Sequence, residues 1–91
     1  MTLLARLDYE GDDLMMIAET EVEKTKRVNA CRKEVETLHF VLSMEPGSVF
    51  MDIGANVGSY TLIALSRGLE VVAFEPSMPN FRRLNENIRL N

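Results

Sequence analysis

Apolar positions along this chain fall into short runs separated by polar turns. Leu3, Leu4, Leu7 and Tyr9 precede Gly11-Asp12-Asp13, and Leu14 to Ile17 form an apolar return. Gly and Asp between two such runs are turn formers, so residues 3 to 17 predict a β-hairpin. Residues 19 to 29 are polar and rich in Glu and Lys, the pattern of an exposed helix or loop. Cys31, Val35, Leu38 and Leu42 recur at spacings of four, three and four, which places them on one face of a single helix. Pro46 and Gly47 end it, since proline cannot continue a helix and glycine supplies the turn.

The period changes at Val49. Val49-Phe50-Met51 runs into Asp52-Ile53 without alternation, which predicts a strand buried on both faces, as in parallel sheets. Gly54-Ala55-Asn56-Val57-Gly58 is a loop, and Ser59 to Arg67 reads as a helix with Tyr60, Ile63 and Ala64 on one side. Gly68 stops that helix. Val71-Val72-Ala73-Phe74 is a second strand of the buried kind. Ser77 is placed to cap a last helix that carries Met78, Phe81, Leu84 and Ile88 on one face, with Pro79 tolerated in its first turn. Strand, helix, strand, helix is a βαβα unit with a right-handed crossover. The chain divides into residues 1–30, hairpin and polar helix or loop, and residues 31–91, which hold that unit. Its strands need lateral partners, and the hairpin is the segment at hand to cover an edge.

Composition narrows the function. The chain has 91 residues, enough for one small domain, and 46% of them are hydrophobic. Net charge is −4, and nine of the fourteen acidic residues lie between Asp8 and Glu36, so a phosphate-gripping basic face is not expected and neither is nucleic acid. Arg82, Arg83 and Arg89, interrupted by Glu86, read as a solvated helix face. Cys31 is the single cysteine, so no disulfide forms within the chain, and it reads as a buried thiol. With His39 the only histidine, a zinc site is not expected. The first residues lack a signal-peptide apolar run, and no stretch approaches the ~20 apolar residues of a membrane span. A cytoplasmic protein without membrane contact is the expectation; its oligomeric state stays open.

In an open α/β sheet, ligands bind beyond the carboxyl ends of the strands. Two features fall at that edge. Gly54 has no Cβ, so a ligand can approach its backbone, and Gly58 eases the turn into a helix whose free N–H groups favour a carboxylate or phosphate. Glu75, at the end of the next strand, is placed to accept hydrogen bonds from two ribose hydroxyls. The dinucleotide fingerprint fails, because Asn56 and Ser59 stand where its second and third glycines belong. The loop contains no lysine, so it is not a P-loop either.

What remains is acid-x-Gly-x-Asn-x-Gly, which resembles motif I of the class I methyltransferases with Asn56 in place of the middle glycine. The stretch from Val49 to Leu62, with Asp52-Ile53-Gly54-Ala55-Asn56-Val57-Gly58 and Tyr60, resembles the FkbM-type methyltransferases. Two further blocks are similar to that family: Ala73-Phe74-Glu75-Pro76-Ser77 followed by Asn80 to Leu84 and Glu86-Asn87, and Cys31 to Thr37, where Val35 replaces the usual proline. The similarity covers about residues 27 to 91.

The resemblance implies an α/β fold, namely the βαβα half of a Rossmann-like, doubly wound parallel sheet, with S-adenosylmethionine as cofactor. It implies that Asp52, Gly54, Ala55, Asn56 and Gly58 line the methionine end, that Glu75 holds the ribose, and that Pro76 and Ser77 lie near the adenine. Tyr60 either sets its ring near the sulfonium, as a cation–π contact requires, or packs its helix on the sheet. Lys33, Glu36 and Thr37 are either part of the site or merely solvated. The family's activity is O-methylation of a hydroxyl, for instance on a small molecule or sugar. A non-catalytic nucleoside-binding or interaction module is the alternative. The family fold has seven strands, so the expectation is its cofactor-binding first half, inactive alone, with acceptor site and base or metal beyond Asn91; no catalytic residue is assigned.

Overall fold

The computed structural model describes residues 2–91. Strands β1 (Leu3–Arg6) and β2 (Met15–Ala18) pair antiparallel, with Leu3 opposite Ala18 and Arg6 opposite Met15. The return strand thus begins one residue later than the apolar run, and Leu14 closes the hairpin by accepting the Leu7 N–H at 2.8 Å. The polar stretch that follows is helix α1 (Glu21–Val28), capped by Thr20, whose hydroxyl accepts the Glu23 N–H at 3.1 Å.

The single helix expected from Cys31 to Leu42 is two. Helix α2 (Ala30–Lys33) stops at Glu34, where φ is −133° and ψ 61°, and α3 (Val35–Ser43) restarts behind it. Contacts distant in sequence make the break. Both oxygens of Asp8, just past the hairpin's first strand, accept N–H groups at the start of α2, Cys31 at 2.8 Å and Arg32 at 2.9 Å. The Tyr60 hydroxyl lies 3.2 Å from the Ala30 carbonyl and 3.3 Å from that of Glu34, at the two ends of the short helix. The break also turns the apolar face: Val41 is fully buried, while Val35 is 46% exposed. Burial, then the charge and hydrogen bond of Asp8, push the Cys31 thiol up to about 12, so it stays protonated and unreactive at neutral pH.

This geometry would accept a proline at position 35. Val35 is the first residue of α3, its N–H has no acceptor among the described residues, and Glu34 before it already avoids the helical region. Val35→Pro is therefore expected to change stability by under about 1 kcal/mol. A thermal melt checks this, and a loss above about 2 kcal/mol would contradict the local geometry.

Strands β3 (Val49–Ile53) and β4 (Glu70–Phe74) run parallel, in register from Val49 with Glu70 to Ile53 with Phe74. Helix α4 (Ser59–Ser66) connects them, and α5 (Met78–Leu90) follows β4. The described residues thus form a mixed α/β unit with two separate two-stranded sheets. Contrary to expectation, the hairpin does not cover an edge of the parallel sheet. Its own outer edge is taken by side chains of α5: Asn87 Oδ1 accepts the Ile17 N–H at 2.8 Å, and Asn91 both accepts from Met15 N–H (2.8 Å) and donates to its carbonyl (2.7 Å). Arg83 is no solvated cation either, since it pairs with Glu19 at 2.5 Å and Glu86 at 3.5 Å. Arg82 and Arg89 are exposed.

Leu7, Tyr9, Leu14 and Met16 of the hairpin share one core with Cys31, Val41, Phe50, Leu62, Ile63 and Leu69. The parallel strands are not buried on both faces. Phe50 points into the core, but Val49, Met51 and Ile53 of β3 and Val72 and Phe74 of β4 are exposed together on the opposite face. Strand side chains alternate, and α4 covers one side only. Both faces are apolar, as the sequence pattern has them; one of them carries no covering element among the described residues. None of those residues forms a helix long and apolar enough to cross a membrane.

Candidate functional site

The loop between β3 and α4 is built from left-handed backbone. Gly54 has φ +77°, Asn56 +54° and Gly58 +102°. Asparagine is among the few side chains that enter this region readily, which is the physical reason a non-glycine residue can stand at position 56. The loop is anchored to the end of β4: the Phe74 carbonyl accepts from Gly54 N–H (2.8 Å) and Ala55 N–H (3.0 Å). Glu75 completes the clasp. Its Oε1 accepts the Asn56 N–H at 2.8 Å and its Oε2 the Ser77 N–H at 2.9 Å, which holds the carboxylate in one orientation at the carboxyl edge of both strands. Each oxygen retains a lone pair for a ligand hydroxyl.

Helix α4 opens with Gly58 at its N-cap and no side-chain cap. The N–H groups of Ser59, Tyr60 and Thr61 have no acceptor among the described residues. A helix start left open in this way presents N–H donors and partial positive charge to an anion. Beneath it, Asp52 Oδ2 accepts the hydroxyl of buried Thr61 at 2.6 Å, tying the end of β3 to α4.

A cleft of about 320 Å³ lies over this edge, lined by Asp52, Gly54, Ala55, Asn56, Ser59 and Tyr60 on one side. Ala30, Glu34 and Thr37 of the broken helix pair face them. Asp52, Gly54, Ala55, Asn56 and Tyr60, singled out from sequence, therefore share one cavity. Gly58 lies behind it, packed against Leu84. Glu75 joins through Asn56, whereas Pro76 and Ser77 are outside its lining. Ser77 stands at the N-cap of α5, but its side chain makes no cap bond. The Tyr60 phenol has its pKa raised, first by burial and then by Glu34, Cys31, Asp8 and Asp52, so it remains a neutral donor to the α2–α3 carbonyls. Of the upstream trio, Thr37 lines the cleft, while Lys33 and Glu36 do not. Ala30 and Glu34 had no separate signal in the sequence, because their position depends on the helix break. No group of three or more potential metal ligands occurs among the described residues.

The chain is 34% identical over 67 residues to a hexuronic acid methyltransferase, AglP, of Haloferax volcanii, a match covering 72% of this chain and 28% of that protein. It is 45% identical over 47 residues to the AMB antimetabolite synthetase AmbE of Pseudomonas aeruginosa, covering 50% of this chain and 2% of that protein. The chain thus spans a minor part of either relative. No family model and no solved structure matches it.

Proposed function

We propose that the chain is the cofactor-binding part of an S-adenosylmethionine-dependent methyltransferase of the FkbM type, with the βαβα unit as the start of a Rossmann-like, doubly wound sheet. The observation that carries this reading is the pairing of an uncapped helix start on α4 with a clasped carboxylate, Glu75, at the neighbouring strand end. A ligand with a carboxylate at one end and ribose hydroxyls at the other fits that donor and acceptor set. A Cβ built at Gly54 meets nothing within 4 Å, so the space above the loop backbone is open to such a ligand. The similarity to a methyltransferase over 67 residues supports the same reading.

Under it, the free N–H groups of Ser59, Tyr60 and Thr61 hold the methionine carboxylate, and Asp52, Gly54, Ala55, Asn56 and Gly58 shape that end. Glu75 takes the ribose hydroxyls, with Pro76 and Ser77 beside the adenine. The Tyr60 ring flanks the sulfonium end of the cleft. The bound cofactor supplies an electrophilic methyl group, and the acceptor is a hydroxyl of a small molecule or sugar. That one relative is named for a hexuronic acid supports a sugar. This chain's part is to bind and orient the cofactor, since positioning of the two reactants drives such a displacement.

Calorimetric titration with S-adenosylmethionine tests the reading, with S-adenosylhomocysteine and NAD as comparison ligands. Saturable one-to-one binding of the first two, and none of NAD, is the expected result. Equal binding of all three would reduce the site to a general nucleoside pocket; binding of none would overturn the reading.

A further inference from the structure

Asn87 is a polar side chain on α5 with no exposed surface, and both its amide oxygen and its amide nitrogen are hydrogen-bonded. Its Oδ1 accepts the Ile17 N–H of β2, and its Nδ2 donates to the Val57 carbonyl of the glycine loop at 2.8 Å. Val57 lies four residues before Thr61, so its carbonyl is the acceptor that Thr61 N–H would take if α4 began one residue earlier. In the structure that bond is absent and the carbonyl faces Asn87 instead. A peptide plane held from behind in this way cannot turn its oxygen toward the helix start. The free N–H groups of α4 are then kept aimed outward.

We infer that Asn87 is a positioning residue for the ligand site, holding the Val57 peptide so that the N-terminus of α4 stays open, and that it joins the N-terminal hairpin to the glycine loop as one unit. The inference rests on the proposed cofactor reading for its effect on affinity, while its effect on the loop is independent of any ligand. Asn91 supplies the control. It binds the same hairpin edge, through Met15, one turn further along α5, and its side chain makes no hydrogen bond to the glycine loop. A role in hairpin docking alone predicts similar consequences for both asparagines; a positioning role separates them.

The experiment compares Asn87→Asp with Asn91→Ala in the chain. The aspartate keeps an oxygen for the Ile17 N–H but turns a second oxygen, rather than an N–H, toward the Val57 carbonyl. Hydrogen exchange of the Asn56 and Gly58 amides, followed by NMR without ligand, is expected to accelerate about tenfold in Asn87→Asp and to stay unchanged in Asn91→Ala. S-adenosylmethionine affinity, by calorimetry, is expected to fall about tenfold in the first variant alone. Unchanged loop exchange in a folded Asn87→Asp, or equal changes in both variants, overturns the inference. Failure of the unsubstituted chain to bind S-adenosylmethionine overturns the cofactor reading, and loop exchange then decides the role of Asn87 by itself. If Asn87→Asp does not fold, the unsubstituted chain still decides: one Asn87 side-chain amide proton must exchange slowly, and rapid exchange of both overturns the proposal.

Discussion

Gly58→Val is expected to destabilise the chain by about 2–5 kcal/mol, a large share of what a domain of this size possesses. Two effects add. The backbone there has φ +102°, where a side chain, and a β-branched one above all, is strained. A Cβ at this position would also sit 2.5 Å from the Cδ1 of Leu84, which is buried and has little room to withdraw. Gly54→Ala is the informative comparison. It carries the left-handed strain alone, at φ +77°, because no atom lies within 4 Å of its Cβ. Its loss is expected to be about 1 kcal/mol of stability, with the greater effect on ligand affinity. Urea unfolding of both variants measures the difference. Equal midpoints would mean that α5 does not press on the loop at Gly58 as closely as the structure has it.

Glu75→Ala is expected to weaken S-adenosylmethionine binding by about 1.5–3 kcal/mol, roughly one to two orders of magnitude in affinity. The carboxylate is the proposed acceptor for the ribose hydroxyls, and it also fixes the loop through the Asn56 N–H and the next turn through the Ser77 N–H. Glu75→Gln separates these functions, since one amide oxygen can still accept from a backbone N–H but the charge is gone. Calorimetry on both variants, with circular dichroism to establish folding, checks the expectation. Undiminished affinity in a folded Glu75→Ala protein would remove Glu75 from the site.

The βαβα order, the hairpin, the glycine loop and the acid after the second strand were legible along the chain because each depends on neighbours in sequence. Apolar runs of strand length, a Gly-rich turn and a 3.6-residue period are local signals, and Val49–Ile53, Ser59–Ser66 and Glu70–Phe74 formed where those signals stood. Five of the residues picked out for the site, Asp52, Gly54, Ala55, Asn56 and Tyr60, line one cleft for the same reason: a short loop leaves them no other place to go.

What the chain pattern could not reveal was decided between segments far apart. The period from Cys31 to Leu42 is continuous, yet Asp8 and Tyr60 break the helix at Glu34, and that break brings Glu34 and Thr37 over the loop. Apolar residues on both faces of β3 and β4 state a demand for cover without saying which face receives it; α4 settles it for one. Asn87 is the clearest case. One asparagine among several in an amphipathic helix carries no periodic signal, and its meaning arises only when Ile17 and Val57, 70 and 30 residues away, meet at its amide. Local hydrogen bonding and side-chain period set the elements, whereas the polar groups left over at strand edges and helix ends find their partners only once the elements have packed.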